Sequence, residues 1–401
     1  MNQKNQIPFV ITGIQSWDIT IGSNCKDMAL ELSKTRKVLY VNPPLDRASY
    51  LKNYRSTVVK RQMQVIKKLR RPFRVINENL TVFDPPIMIE SIQWMPHFLF
   101  NVFNQWASET LGDAIIKALQ ELQISTYNLF IDSDMFRSQH LIEKLKPTQA
   151  IYYTRDNLMT VPYWQKHGKY MEPNLMRKAD LVVSNSPHLR DIAKQHNKNS
   201  HFIGQGCDVS SFIGSDFKYP EELSQMNGPV IGYVGLLSTR RLDLDILAGI
   251  ALARPEWNIV LVGPEEECFA KSQLHQLANV HFLGKKNPEE LPHLIKAFDV
   301  CINPQTQNEL TKGNYPRKID EYLAAGKPIV ATNTPTMAIF DEVCWLAQDV
   351  KEYVESIEEA LKEDSKQKQS KRIETALSHT WENCINLLFQ TLTNQHQPQK
   401  V

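Results

Sequence analysis

Residues 314–332 read NYPRKIDEYLAAGKPIVAT. The pattern is that of a helix running into a buried strand. Pro316 suits a first helical position and Gly326-Lys327-Pro328 stops the helix, so a helix is expected over about 316–325 and a strand over 329–332. The charges run against the helix dipole, because Arg317 and Lys318 crowd the end that favours anions. Backbone N–H groups near 315–318, together with these two cations, would suit a diphosphate. Glu321 lies three residues after Lys318 and four after Arg317, on the same face, where it can accept hydrogen bonds from ribose hydroxyls. The alternative is that Arg317, Lys318 and Glu321 form surface pairs with one another.

The same strand–helix alternation extends in both directions. Upstream lie strand patterns at 229–234 (PVIGYV), 258–262 (NIVLV), 280–283 and 300–302, with helices expected at 243–253, 269–277 and 288–297. A last strand falls at 345–346. The first half repeats the plan, with strands at 7–14, 38–41, 127–131, 150–153, 181–184 and 202–203. Its helices are expected at 23–34, 136–145, up to 178, and 187–196. Repeated βα units imply parallel sheets covered on both faces. The expected fold is therefore α/β: two doubly wound Rossmann-like domains facing across a cleft, with ligands at the carboxyl ends of the strands. The boundaries are placed at 1–208, a linker at 209–228, 229–380, and a C-terminal helix with a disordered polar tail over 381–401.

Composition bounds the function. The 401 residues are 42% hydrophobic and 22% charged, as in a folded protein with two sizeable cores. A net charge of +2 gives no global sign of nucleic-acid binding. The six cysteines show no CxxC pair and no metal-ligand spacing, as expected of reduced thiols in a cytoplasmic protein. No apolar run approaches the ~20 residues of a membrane-spanning helix, so the expected location is cytoplasmic or peripheral at the inner face of a membrane.

Two segments within an irregular insertion, about 45–110, break the alternation. Residues 52–74 (KNYRSTVVKRQMQVIKKLRRPFR) hold nine cations and no acid. They read as a solvated basic surface, or else as an attractor of anionic lipid headgroups or a lipid-diphosphate substrate. Residues 94–106 (WMPHFLFNVFNQW) place Met95, Phe98, Leu99, Val102, Phe103 and Trp106 on one helical face. A core-facing helix is the expected reading, with a membrane-contacting one as the alternative.

Four stretches, IGYVGLLSTRRLDLD (231–245), NIVLVGPEEE (258–267), NVHFLGKKNPEELPHLIKAFDVCINP (279–304) and KIDEYLAAGKPIVAT (318–332), occur in one order and spacing. In that order they resemble the nucleotide-sugar-binding domain of GT-B glycosyltransferases, the retaining family four. KADLVVSNSPHLRDI and FIGQGCDVSSF, within 178–212, resemble the end of that family's first domain. There Gln205-Gly206-Cys207-Asp208 stands where the family has an Asn-Gly-Val-Asp-like turn. The resemblance implies a donor site made by Gly22, Ser23, Gly235, Arg240, Arg241, Gly263, Tyr315, Arg317, Lys318 and Glu321. Glu321 would contact the donor ribose, while Arg241, with Arg240 second, would grip the diphosphate. The family's first glutamate, eight positions before the second, falls on Gly313 and is absent. The chain thus resembles a divergent branch in which Pro316-Arg317-Lys318 replaces that carboxylate.

On the acceptor side, Asp156 in YYTRDN follows a strand and could position or deprotonate a hydroxyl, unless it caps Asn157 or pairs with Arg155. Asp18 is a weaker case of the same kind. Asp132-Ser133-Asp134 is similar to the metal-binding DxD of GT-A enzymes, but at a strand-to-helix junction an aspartate helix cap is expected instead, and no metal. Asp156, Arg241 and Lys318 are the expected catalytic residues. The implied activity is transfer of a hexose, with retention, from a UDP- or GDP-type nucleotide-sugar to a glycan or lipid-linked acceptor in cell-surface polysaccharide synthesis. The nucleotide-sugar is a substrate and no cofactor is expected. A GT-B-like nucleotide-sugar 2-epimerase and a non-catalytic sugar-binding subunit are the alternatives. A nicotinamide dehydrogenase is disfavoured, because the first βα turns read GIQSWDITIGS (13–23) and GLLSTRR (235–241), not GxGxxG.

Overall fold

The computed structural model describes residues 6–19, 22–214 and 217–394, so the polar tail expected beyond 394 lies outside the described residues. The chain divides into two compact units, one of Met1–Gly204 with Cys384–Val401 and one of Gln205–Asn383. The C-terminal helix expected as a separate piece is Trp381–Asn394. From Cys384 onward it belongs to the first unit, where Phe389 lies 6.3 Å from Phe9 and beneath the Arg36 guanidinium at 4.7 Å.

The first unit is built on an eight-stranded sheet. Its strands run in the order Ser200–Phe202, Leu181–Ser184, Ala150–Thr154, Asn128–Asp132, Phe9–Gly13, Val38–Val41, Leu80–Phe83, Phe73–Val75. All neighbours are parallel except the last pair, which is antiparallel. Strands such as Phe9–Gly13 are buried along their whole length, the mark of a sheet covered on both faces. Two of the eight strands, Phe73–Val75 and Leu80–Phe83, come from the insertion expected to be irregular. Leu80–Phe83 is too short and too closely flanked by polar residues for its alternation to stand out.

The second unit carries a six-stranded, wholly parallel sheet. Its order is Val280–Gly284, Asn258–Val262, Val230–Val234, Val300–Asn303, Ile329–Thr332, Trp345–Ala347. Numbered along the chain this is 3-2-1-4-5-6, the dinucleotide-fold order, whose switch point lies between Val230–Val234 and Val300–Asn303. The first unit has the same reversal between Phe9–Gly13 and Asn128–Asp132.

The helix of the opening stretch spans Lys318–Ala324. It ends as the sequence demands: Gly326, at φ +73°, donates to Leu323 O (2.8 Å) and Lys327 donates to Tyr322 O (3.0 Å). Its beginning differs from expectation, because residues 315–317 form a tighter turn in which Arg317 N donates to Tyr315 O (3.1 Å). Asn314 N is likewise bonded, to Thr311 O (3.3 Å), and Pro316 has no N–H. The expected row of open amides is therefore largely closed by local turns.

Three further expectations are corrected. The helix expected at 136–145 is only Leu141–Leu145, because Asp134 and its neighbours form turns first. The one expected at 269–277 splits into Glu267–Ala270 and a 3-10 turn at Gln273–Gln276. The third concerns residues 94–106, which enter a long helix, His97–Glu121. Its core face is Phe100, Ala107, Leu111 and Ile115, whereas Phe98 (68% exposed), Val102 (65%) and Trp106 (55%) face outward. Only Met95 of the expected apolar face packs against the core.

Candidate functional site

In the second unit the site is assembled at the carboxyl ends of the strands flanking the switch point. Gly235 follows Val230–Val234 at φ +148°, with its amide donating to Val262 O (2.9 Å). A Cβ built there would lie 2.9 Å from both Lys318 Nζ and Tyr233 Oη. Lys318 Nζ donates to Tyr233 Oη and sits 4.0 Å from the centroid of that ring. Among the described residues the lysine forms no ion pair; a phenol and an aromatic face hold it, and the Glu321 carboxylate acts on it only from beyond ion-pair distance.

Gly263, after Asn258–Val262, has φ +146°, and a Cβ there would lie 1.8 Å from Gly235 O. The two loops can meet only because this residue has no side chain. Gly263→Ala is expected to destabilise the second unit by about 2–4 kcal/mol, a fall of roughly 5–10 °C in its melting temperature. Calorimetry of the purified variant measures this, and an unchanged transition would contradict the close approach.

The Arg240-Arg241 loop is fixed through its backbone. Arg241 N donates to Ser238 O (3.0 Å), Thr306 N to Arg241 O (3.0 Å) and Asn308 Nδ2 to Arg240 O (2.9 Å). Ser238 Oγ in turn donates to Glu266 (2.7 Å). Both guanidinium groups are exposed, and neither forms an ion pair among the described residues. A pinned backbone thus presents two cations on the same strand-end loop as Gly235.

Glu321 is half-buried, and burial pushes its carboxyl up against the opposing pull of Arg317 and Lys318. Arg317 is half-buried, with Nε lacking a hydrogen-bond partner among the described residues. Tyr315 turns inward: Oη donates to Asp320 Oδ1 (3.1 Å), which also lies 2.7 Å from His379 Nδ1. Asp320 is fully buried, and burial raises its carboxyl above the usual range. The Tyr315–Asp320–His379 knot props the helix that carries Lys318 and Glu321. Gly313, where the family's glutamate would fall, is the buried C-terminal end of the short helix Glu309–Gly313, whose N-terminus is capped by Asn308 and Thr311.

The first unit holds the remaining predicted residues. Asp132, at the end of its strand, is buried and accepts from Arg155 Nε (2.7 Å) and Nη2 (2.9 Å). Burial would lower the Arg155 guanidinium, but Asp132 more than offsets it and holds the arginine charged. Arg155 Nη2 also donates to Gln15 Oε1 (3.0 Å), which receives Ser23 Oγ at 2.5 Å. Ser23 caps the helix Asn24–Ser33, and Gly22 before it is exposed. Asp156 has a left-handed backbone, φ +58°, and an exposed carboxylate 3.4 Å from Arg155 Nη1. Strain of this kind at a non-glycine residue is common where a side chain is aimed for use.

Asp134 caps no α-helix; it accepts from Arg137 N (3.3 Å) and Arg137 Nε (3.1 Å). Asp18 pairs with Arg74 through two bonds of 2.6 and 2.7 Å. Beside this group opens a cavity of about 420 Å³ lined by Asp46, Ser49, Phe100, Arg137, Tyr163 and Trp164 among others.

Comparison with known proteins agrees with the parallel-sheet order and the glycine-bordered loops. Residues 228–363 match the model of the family described as Glycosyl transferases group 1. The second unit carries a glycosyl transferases group 1 domain. A putative teichuronic acid biosynthesis glycosyltransferase, TuaH of Bacillus subtilis (strain 168), is 29% identical over 189 residues. That alignment spans 45% of this chain and 47%, about half, of the relative's length. Among solved structures, Anabaena Alr3699/HepE in complex with UDP and glucose superposes with a TM-score of 0.61 at 16% identity, covering 97% of this chain and all (100%) of that one. The sucrose-phosphate synthase of Thermosynechococcus elongatus gives 0.63 at 14% identity, covering 98% and 100%. An E. coli structure titled trehalose-6-phosphate bound with UDP-2-fluoro glucose gives 0.68 at 10%, covering 96% and 99%. The fold is GT-B, with one Rossmann-like sheet in each unit, parallel throughout in the second and parallel but for one edge pair in the first.

Tyr233, Asp320 and His379 were not legible as site residues. Tyr233 reads as an ordinary apolar strand position in VIGYV, and only the pairing of strands brings it to Lys318, 85 residues away.

Proposed function

We propose that this chain is a glycosyltransferase that moves a sugar from a nucleotide-sugar to a glycan or lipid-linked acceptor in cell-surface polysaccharide synthesis, of the teichuronic-acid type. The observation that carries the reading is Lys318, which forms no ion pair among the described residues and is held against Tyr233 at the switch point of a glycosyl transferases group 1 domain. In this reading Lys318 and Arg241, with Arg240 and Arg317 nearby in sequence, meet the donor diphosphate. As the bond between sugar and phosphate breaks, charge builds on the departing oxygen, and fixed cations stabilise it most where they need no rearrangement. Glu321, one helical turn further, accepts from the ribose hydroxyls. UDP is the favoured nucleotide because solved neighbours hold UDP or a UDP-sugar.

The acceptor is assigned to the first unit, with Asp156 orienting or deprotonating its hydroxyl. Transfer with retention is part of the proposal and requires the hydroxyl to attack on the face the diphosphate leaves. Asp132 and Asp134 are each held by an arginine, so neither serves as a metal ligand in this reading.

A thermal-shift series with UDP, GDP, CDP and dTDP, followed by turnover of radiolabelled UDP-sugars, tests the proposal. Glu321→Ala is expected to weaken UDP binding about 10- to 100-fold, the effect of losing hydrogen bonds to a charged acceptor. Unchanged affinity would remove the ribose contact from the scheme. Gly313 in place of the family's carboxylate favours one second reading, a subunit that binds a nucleotide-sugar without turning it over. Binding of UDP-sugars without transfer or epimerisation across a donor and acceptor panel would select it.

A further inference from the structure

We infer that the first unit docks on an anionic lipid surface through the outward face of the helix His97–Glu121 and the basic segment 52–71. The helix turns Phe98, Leu99, Val102, Phe103 and Trp106 to solvent, with Trp94 (73% exposed) just before it. At 100° per residue these helical positions form a stripe opposite Phe100, Asn104, Ala107 and Leu111, which are buried in the unit. A contiguous apolar face of this size is uncommon on a chain that meets only water. Tyr163 and Tyr170, on the helix Pro162–Lys178, are exposed too, and the ring of Tyr170 lies 4.6 Å from His97 at the start of the apolar helix. Tryptophan and tyrosine are the side chains that settle at the headgroup level of a bilayer.

Charge selects the occupant. Arg61 and Arg74 of the nine-cation segment bind Asp84 (2.7 and 3.5 Å), so they belong to the fold. The other seven, including Lys67, Lys68, Arg70 and Arg71, are exposed and form no ion pair among the described residues. At their centre Leu69 is 75% exposed, on a turn made by Lys68 at φ +58°. Trp94 Nε1 donates to Ser91 O (3.0 Å), and Ser91 Oγ donates to Asp46 (2.6 Å) and accepts from Ala48 N (3.1 Å) at the start of the helix Arg47–Asn53, so the exposed tryptophan adjoins the helix that leads into the basic segment. A second copy of this chain would bring cations against cations. An anionic bilayer satisfies both halves at once, each cation near its surface adding attraction within a Debye length. The surface uses none of the residues assigned above to donor or acceptor, so it does not depend on the activity proposed above.

The test is sedimentation of the intact protein with phosphatidylcholine vesicles, with and without phosphatidylglycerol. Binding is expected with the anionic vesicles only, and raised salt should weaken it. Trp94→Ser/Phe98→Ser/Trp106→Ser and, separately, Lys67→Glu/Lys68→Glu/Arg71→Glu should each lower vesicle affinity at least about tenfold, the first set by removing apolar burial and the second by removing attraction to the anionic surface. Both sets are exposed, so melting temperature and UDP binding should be unchanged. No binding by the wild type, equal binding to neutral vesicles, or binding that survives both sets of changes would overturn the inference. A concentration-dependent dimer lost on Trp106→Ser would also overturn it and assign the face to a second copy.

Discussion

Lys318→Ala is expected to lower the transfer rate about 100- to 1,000-fold, the usual effect of removing one preorganised charge from a departing oxyanion. Among the described residues the side chain forms no ion pair, and its position is set by Tyr233 and by the bare Cα of Gly235. The loss should fall mainly on kcat if Lys318 acts most strongly on the charge that develops as the diphosphate leaves. A loss confined to KM would make it a ground-state binding residue instead. Tyr233→Phe keeps the ring face but removes the acceptor of the lysine's hydrogen bond, so a smaller loss is expected, about tenfold, from a less well-aimed cation. Single-turnover rates with saturating donor measure both, and a fully active Lys318→Ala would end this assignment.

Asp132→Leu is expected to cost about 3–5 kcal/mol, because it leaves the buried Arg155 guanidinium with only the solvent-exposed Asp156 carboxylate, 3.4 Å from Nη1, as counter-charge. Arg155 is 7% exposed, and the neutral acceptor Gln15 with the long, exposed contact to Asp156 cannot replace two short charge-assisted bonds. In a unit of this size that corresponds to a fall of roughly 10–15 °C in the first unit's transition. Asp132→Leu/Arg155→Met should recover most of the loss, since removing both charges also removes the desolvation penalty. Calorimetry on the wild type, the two single variants and the double variant provides the cycle. A double variant no more stable than Asp132→Leu would show that the pair is not what holds this end of the sheet. The same variants bear on Asp156, whose carboxylate stands beside Arg155: its aim should degrade when the arginine is lost.

Much of the molecule could be read from residue pattern alone. VIGYV and NIVLV are short, unbroken apolar runs, and a strand buried on both faces requires that composition. Gly326-Lys327-Pro328 names the end of its helix because few other residues adopt the left-handed turn that receives the last carbonyls. The order of such segments was enough for two parallel sheets, and the spacing of the matched stretches was enough for the family of the second unit.

Other features required the folded chain. The apolar repeat of 98–106 has the same period whether it faces a core or solvent, because periodicity records which residues share a face and not what lies against it. The nine cations of 52–74 looked alike until Asp84, from a neighbouring strand end, took Arg61 and Arg74 and left seven exposed. Lys318 and Tyr233 became one unit only when strands far apart in sequence were laid side by side. Local rules of propensity and capping act within a few residues, and these the sequence determined by itself. Burial, charge pairing and the shape of the site depend on contacts across tens of residues, which only the tertiary structure decided.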